Sequence, residues 1–277
     1  MGKAIKRIIL VLALMVFLFS AGVVLVVKHQ YQVSDRLYGD AAEQFVSPAA
    51  PLSADVQAAE AQPPQESGEV KEERLPECAP IAVDFAGLRE VNPEIVGWIF
   101  CPDTVINYPI AHGEDDDWYL HHSYNNAFNA SGTIFVEAEN RGDFSDSNTI
   151  LYGHHMNDNS MFATLDRWQD QSYYEGHPVM WLLTPEQDYK IELFSAYHTA
   201  AYSDTFMTFP GPGAAFTEYL KVAKLYSQSR MAAQPDPDGH YVLLSTCAYV
   251  FDSARSVIHG RLCPVSSAGG VPFSNMD

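Results

Sequence analysis

Tyr241-Val-Leu-Leu-Ser-Thr-Cys247, followed eight residues later by Arg255 and the apolar run over residues 256–262, decides how the chain is read. Both runs favour extended backbone, and Tyr249-Val-Phe-Asp-Ser253 between them is short enough to be a turn. The pattern predicts a hairpin with Cys247 at the end of its first strand, where a side chain can face a cleft. A hairpin of this length brings the Arg255 guanidinium beside the thiol. That pairing has chemical meaning. An unperturbed thiol, with a pKa of about 8.5, is mostly protonated at neutral pH, so a cysteine nucleophile needs a base or cation nearby. It also needs a donor for the oxyanion of acyl transfer, and arginine is a permanently charged fork of such donors. A buried or disulfide-bonded cysteine and a surface arginine are the competing readings.

The base is sought among ten histidines. Thr149-Ile-Leu-Tyr152 reads as a strand broken at Gly153, which puts His154 at the start of the polar loop His-His-Met-Asn-Asp-Asn-Ser. His155 follows directly, and neighbours on extended backbone point to opposite sides, so at most one of the two enters a site. His29, His177, His198 and His240 read as structural or solvated. Cys78, Cys101 and Cys263 complete the cysteines; four permit three complete pairings, which the sequence leaves open.

Further strand-like runs lie upstream, at residues 95–100, 105–110, 132–136, 149–152, 179–183 and 189–198. With 241–245 and 256–262 they make eight short strands separated by turn residues, which predicts a mainly β, closed or nearly closed barrel. Residues 85–91 have helical spacing, with Phe85 and Leu88 on one face, and end at Asn92-Pro93. Phe216, Tyr219, Leu220, Ala223 and Tyr226 form an amphipathic stripe in the long segment before the Cys247 strand.

Composition narrows the partners. Sixteen Lys and Arg against 35 Asp and Glu give a net charge of −19, which argues against a nucleic-acid binder. The charge is uneven: Lys3, Lys6, Arg7 and Lys28 are the only charged residues among the first 28, leaving a body of −23. Residues 8–27 carry no charge over 20 positions, enough for a helix to cross the roughly 30 Å hydrocarbon core. A cleaved signal peptide is the rival, but its apolar region is usually shorter, about 7–15 residues. The basic residues ahead of the span predict a cytoplasmic N-terminus at residues 1–7 and an extracellular body. Residues 31–45 could continue as a helix. From Val46 to Glu77 the chain is rich in Ala, Pro, Gln and Glu and predicts a flexible stalk.

The quoted segments resemble the sortases. Leu244-Ser245-Thr246-Cys247 with Arg255 is similar to their active-site hairpin. Asn92-Pro-Glu-Ile-Val-Gly-Trp-Ile99, Ile106-Asn-Tyr-Pro-Ile110, Ser131-Gly-Thr-Ile-Phe135, Asn148-Thr-Ile-Leu-Tyr-Gly-His-His-Met156 and Ser160-Met-Phe162 follow class B members in order. The resemblance implies an eight-stranded barrel over residues 80–264; composition places an anchor at 8–27, a stalk at 28–79 and a flexible tail at 265–277, and the stalk and tail have no counterpart among the family's motifs. It implies a membrane-anchored cysteine transpeptidase of Gram-positive bacteria. Cys247 would be nucleophile, His154 general acid and base, and Arg255 oxyanion stabiliser, with Ser245 and Thr246 lining the substrate site. The implied partners are a secreted protein with an LPxTG-like C-terminal sorting signal and an amine of a peptidoglycan precursor or pilin. No cofactor or metal is implied, and Glu114-Asp-Asp-Asp117 reads as a solvated acidic loop. The rival functions are a cysteine protease that releases the acyl group to water and a non-catalytic tethered barrel. A zinc hydrolase using His121, His122, His154 and His155 lacks any familiar ligand spacing.

Overall fold

The structure, a computed structural model, describes residues 2–49 and 78–266. The chain divides into two units, residues 1–40 and 41–277. A single helix, α1, spans Lys3–Phe45. The large apolar side chains between Ile8 and Val27 are exposed along it, and the apolar stretch is long enough to cross a membrane. At about 25 cal/mol per Å², so much exposed apolar surface strongly favours transfer out of water.

The second unit is built around eight strands whose sequence order hides their neighbours. They are β3 (Ile95–Phe100), β4 (Asn107–Ala111), β5 (Ile134–Val136), β6 (Asn148–Tyr152), β7 (Val179–Leu183), β8 (Asp188–Ala200), β9 (His240–Cys247) and β10 (Ala254–Val265). They close into a barrel in the order β10-β8-β7-β3-β4-β5-β6-β9. All contacts are antiparallel except β4 with β5 and β6 with β9. Closure leaves no free sheet edge. Each of the eight predicted runs is a barrel strand, with ends shifted by a few residues.

The helices settle against this frame. In α2 (Phe85–Val91), Asp84 caps the first turn by accepting from the Gly87 amide at 3.0 Å, and Leu88 is buried. The long connection between β8 and β9 holds α5 (Ala214–Tyr226), whose Phe216, Leu220 and Ala223 pack with Phe194, Leu243 and Val257 in one core cluster. Tyr226, predicted on the same stripe, is largely exposed at the helix end. Two short helices were not foreseen: α3 (Trp118–His121) and α4 (Gln171–Gly176).

The predicted stalk is ordered at its start. Residues 28–45 belong to α1, and β1 (Val46–Pro48) pairs antiparallel with β2 (Ile81–Val83). Few large apolar residues mark 46–48, so composition suggested a flexible segment. The strand instead forms through backbone pairing with a partner more than thirty positions away, assisted by the buried Phe45 against Tyr124. Residues 50–77 of the predicted stalk and 267–277 of the predicted tail lie outside the described residues. Val265, assigned to the tail, is the last residue of β10.

Candidate active site

Antiparallel register fixes the first pair. Arg255 lies directly opposite Cys247 across β9 and β10, so both side chains start from the same face of the hairpin. Backbone hydrogen bonds from Ala248 to Ala254 (2.9 Å) and from Ala254 to Phe251 (3.2 Å) pin the turn that joins them.

His154 arrives from a different strand. Parallel pairing sets Tyr152 of β6 beside Ser245 of β9, and the Gly153 amide continues it by donating to the Ser245 carbonyl at 3.1 Å. Gly153 must be glycine: a Cβ there would collide with Ile134 and Phe162. The chain therefore turns tightly, and His154 is delivered to the end of β9 that carries Cys247. Its Nε2–H donates to the Leu120 carbonyl at 2.7 Å, so Nδ1 is the ring nitrogen not engaged by that bond.

That carbonyl is itself held in place. Leu120 is in α3, whose Tyr119 is fully buried; the Tyr119 hydroxyl accepts from Asn92 Nδ2 at 2.8 Å and donates to Glu94 at 2.5 Å. Asn92 is also buried and donates to the Tyr124 carbonyl at 2.9 Å. Gly132, at φ +58°, passes so close to the Tyr119 and Leu120 carbonyls that no side chain fits there. A buried network thus orients His154 through a backbone atom.

His154, Cys247 and Arg255 border one cleft of about 410 Å³, together with Ser245, Thr246, Tyr152 and Asp116. All three are partly exposed. The buried hydroxyls of Ser245 and Thr246 have no hydrogen-bond partner among the described residues. Size alone would select a different place: a cavity of about 840 Å³ lies between α5 and β8, but neither a cysteine nor an arginine lines it. The smaller cleft is the chemically equipped one.

The other cysteines are placed otherwise. All four are free thiols. Cys101 is buried, and burial pushes its thiol up to about 12. Burial also raises the Cys263 thiol, and Cys78 forms an isolated bridge with Ser266. His155 turns away, packing edge-on against Tyr249 and bridging Met161. Among the described residues no group of three or more His, Cys, Asp or Glu could hold a metal ion.

Sequence reasoning passed over three contributors. Leu120 acts through its backbone, which no residue-type signal reveals. Asp116 is exposed in the acidic loop, yet it borders the cleft and accepts from the Ala138 amide at 2.8 Å. Glu137 lies one residue beyond β5 and accepts from the Tyr152 hydroxyl at 2.6 Å.

No family model matches the chain. Sortase B of Listeria monocytogenes is 30% identical over 267 residues, covering 95% of this chain and 96% of that protein. The solved Staphylococcus aureus sortase B–substrate complex is similar over 66% of this chain and 85% of its own, at 30% identity and a TM-score of 0.62. A sortase B structure complexed with triglycine matches over 66% and 86%, at 30% identity and a TM-score of 0.61. Barrel, hairpin and similarity along nearly the whole chain agree: this protein belongs to the class B sortases, a family of transpeptidase enzymes.

Proposed function

We propose that this chain is a membrane-anchored cysteine transpeptidase that cleaves the C-terminal sorting signal of a secreted protein and transfers it to an amine. The Cys247 thiolate attacks the scissile carbonyl, and Arg255 donates to the oxyanion of the tetrahedral intermediate. The C–N bond breaks as His154 gives its proton to the leaving amine, and a thioester remains on Cys247. The incoming amine attacks that thioester, His154 takes its proton, and the Cys247 thiolate leaves. The observation that carries this reading is the convergence of two barrel registers on one cleft: Arg255 opposite Cys247, and His154 just beyond Tyr152 beside Ser245. Ser245 and Thr246 line the substrate path, and the Ser245 hydroxyl, on the Cys247 face of β9, is the one that serves an extended peptide.

The sorting signal is LPxTG-like and the acceptor an amine of a peptidoglycan precursor or pilin. The S. aureus relative solved with a substrate and the sortase B solved with triglycine support these two partner classes. Residues 8–27 anchor the chain in the cell membrane as a single pass, with residues 1–7 cytoplasmic and the barrel extracellular. Residues 28–79 then act as spacer, and 80–264, extended by Val265 at the end of β10, as catalytic domain, with the remainder as tail.

The full chain in detergent, incubated with fluorescence-quenched LPxTG-like peptides with and without triglycine, tests this reading. Ligated peptide that requires triglycine is the expected result. Cleavage to free acid at a rate indifferent to triglycine overturns transpeptidation in favour of proteolysis. No thioester on Cys247 with any peptide overturns catalysis by this site.

A further inference from the structure

The cleft wall facing the hairpin is held by groups that the acyl-transfer chemistry does not use. Tyr152, the last residue of β6, borders the cleft, and its hydroxyl donates to Glu137 Oε2 at 2.6 Å. Burial first, then Glu137 itself, raises the Tyr152 phenol far above its ordinary value, so it is a donor at any working pH. Behind it, the Glu137 amide donates to the Ile150 carbonyl at 2.9 Å, tying the carboxyl to β6. Asp116 reaches the same region from the loop before α3: it accepts from the Ala138 amide at 2.8 Å, next to Glu137 in sequence, and its carboxyl is near enough to help raise that of Glu137.

We propose that Glu137 is a positioning residue of the transpeptidase cleft, holding the Tyr152 ring as the wall against which the peptide lies and coupling that wall to Asp116. This rests on the function proposed above. The coupling reaches the chemistry by a second route: Asp116 is four residues before Leu120, whose carbonyl holds the His154 ring. A shift of the Asp116 loop would therefore disturb both the wall and the base.

Protonation sets the strength of the hold. Burial pushes the Glu137 carboxyl up to about 7, with the neighbouring Asp116 carboxyl and the charge of Glu139 adding to it, while the Tyr152 hydrogen bond works in the opposite direction. Arg255 faces the cluster on the Tyr152 side. Below neutrality a protonated Glu137 can bond Asp116 and still accept from Tyr152. Above it, two carboxylates face each other and repel. Peptide capture should weaken as pH rises through that range.

The test uses the full chain in detergent, a fluorescence-quenched LPxTG-like peptide and triglycine, with KM and kcat measured from pH 6 to 8. In the wild type KM should rise across that interval. Glu137→Gln should remove the rise, because its amide accepts from Tyr152 without titrating. Glu137→Ala should raise KM at pH 6 about tenfold, the scale of a lost hydrogen bond to an ionisable group, with a much smaller change in kcat. Glu137→Ala and Tyr152→Phe should not be additive. A wild-type KM in Glu137→Ala, or a pH response that survives Glu137→Gln, overturns the proposal. If the wild type turns over no peptide, the transpeptidase reading fails instead. Carboxyl ¹³C NMR then decides separately: Glu137 must titrate near neutrality and move down in Asp116→Asn, and an ordinary carboxylate titration overturns the coupling.

Discussion

Two places on the β9–β10 hairpin, four residues apart, treat polar side chains in opposite ways. At one, Arg255 faces Cys247; at the other, His259 faces Leu243. The Cys247 end is partly exposed and keeps hydroxyls without protein partners. The His259 end is fully buried, stacked on Tyr197 and beside Phe194. There the ring meets the Tyr219 hydroxyl at 2.9 Å, and that hydroxyl donates to the Thr205 carbonyl at 2.8 Å. One end sets its polar groups along a cleft. The other uses His259 Nε2 and the Tyr219 hydroxyl to hold α5 to the barrel, with His259 Nδ1 unpartnered among the described residues. On the function proposed above, the same pair of strands carries reactivity and rigidity in separate places.

If that division is right, losses at the exposed end should be chemical and not structural. Cys247→Ala should abolish thioester formation, a loss on the order of 10⁴–10⁶ in rate by comparison with other nucleophile deletions. Mass spectrometry of a peptide-treated sample checks it, and an adduct on Cys101 or Cys263 would refute the assignment. Next in size, His154→Ala should cost about 10²–10⁴ in kcat, the scale of general acid–base catalysis, and Arg255→Ala about 10²–10³ for a lost oxyanion donor. Neither should lower the melting temperature appreciably. A large drop in melting temperature would mean that the cleft residues are also structural, and the contrast would collapse.

The buried end should show the converse. Burial pushes the His259 imidazole down to about 3, against an ordinary value of about 6.5. The unfolded chain then takes up a proton as pH falls below about 6.5, while the folded chain stays neutral until about 3. Folding stability is therefore lost across that window as pH falls, at about 1.4 kcal/mol per pH unit for one proton. His259→Gln keeps a donor toward Tyr219 and removes the titration. Denaturant unfolding from pH 6.5 to 4 should show a slope shallower by that amount. An unchanged slope would mean that other groups set the acid sensitivity.

The two ends also differ in how far they could be read in advance. Cys247 and Arg255 were legible from spacing, because eight residues with a five-residue turn leave little choice of register. The eight strands were legible for the same local reason: β-rich runs stopped by Gly, Pro, Asn and Asp. Residue spacing could mark His154 as a candidate, but it could not bring it to Cys247. That depends on the parallel pairing of β6 with β9, between residues almost a hundred positions apart, and only family resemblance anticipated it. The Leu120 carbonyl was illegible because backbone atoms leave no residue signature. The β1–β2 pair was missed because its stabilisation comes from distant partners and not from composition.

The smallest effect is the sharpest test of the division, because it sets stability and activity against each other in one side chain. Ser245 lies two residues before Cys247 on β9, so alternation puts it on the same strand face. Thr246 lies on the other face, opposite Ser256, which accepts from Gln169 at 3.0 Å. Both hydroxyls are buried without a partner among the described residues, and a buried unsatisfied hydroxyl costs about 1–3 kcal/mol. Ser245→Ala should therefore raise the melting temperature by a few degrees while lowering kcat/KM several-fold, through loss of a group that a bound peptide would satisfy. Thr246→Val, which keeps the shape, should share the gain in stability with a smaller loss of activity. Thermal melts and kinetics on the two variants check this. Ser245→Ala that destabilises the fold would show that the hydroxyl already has a structural role and that the exposed end is not held in reserve for substrate.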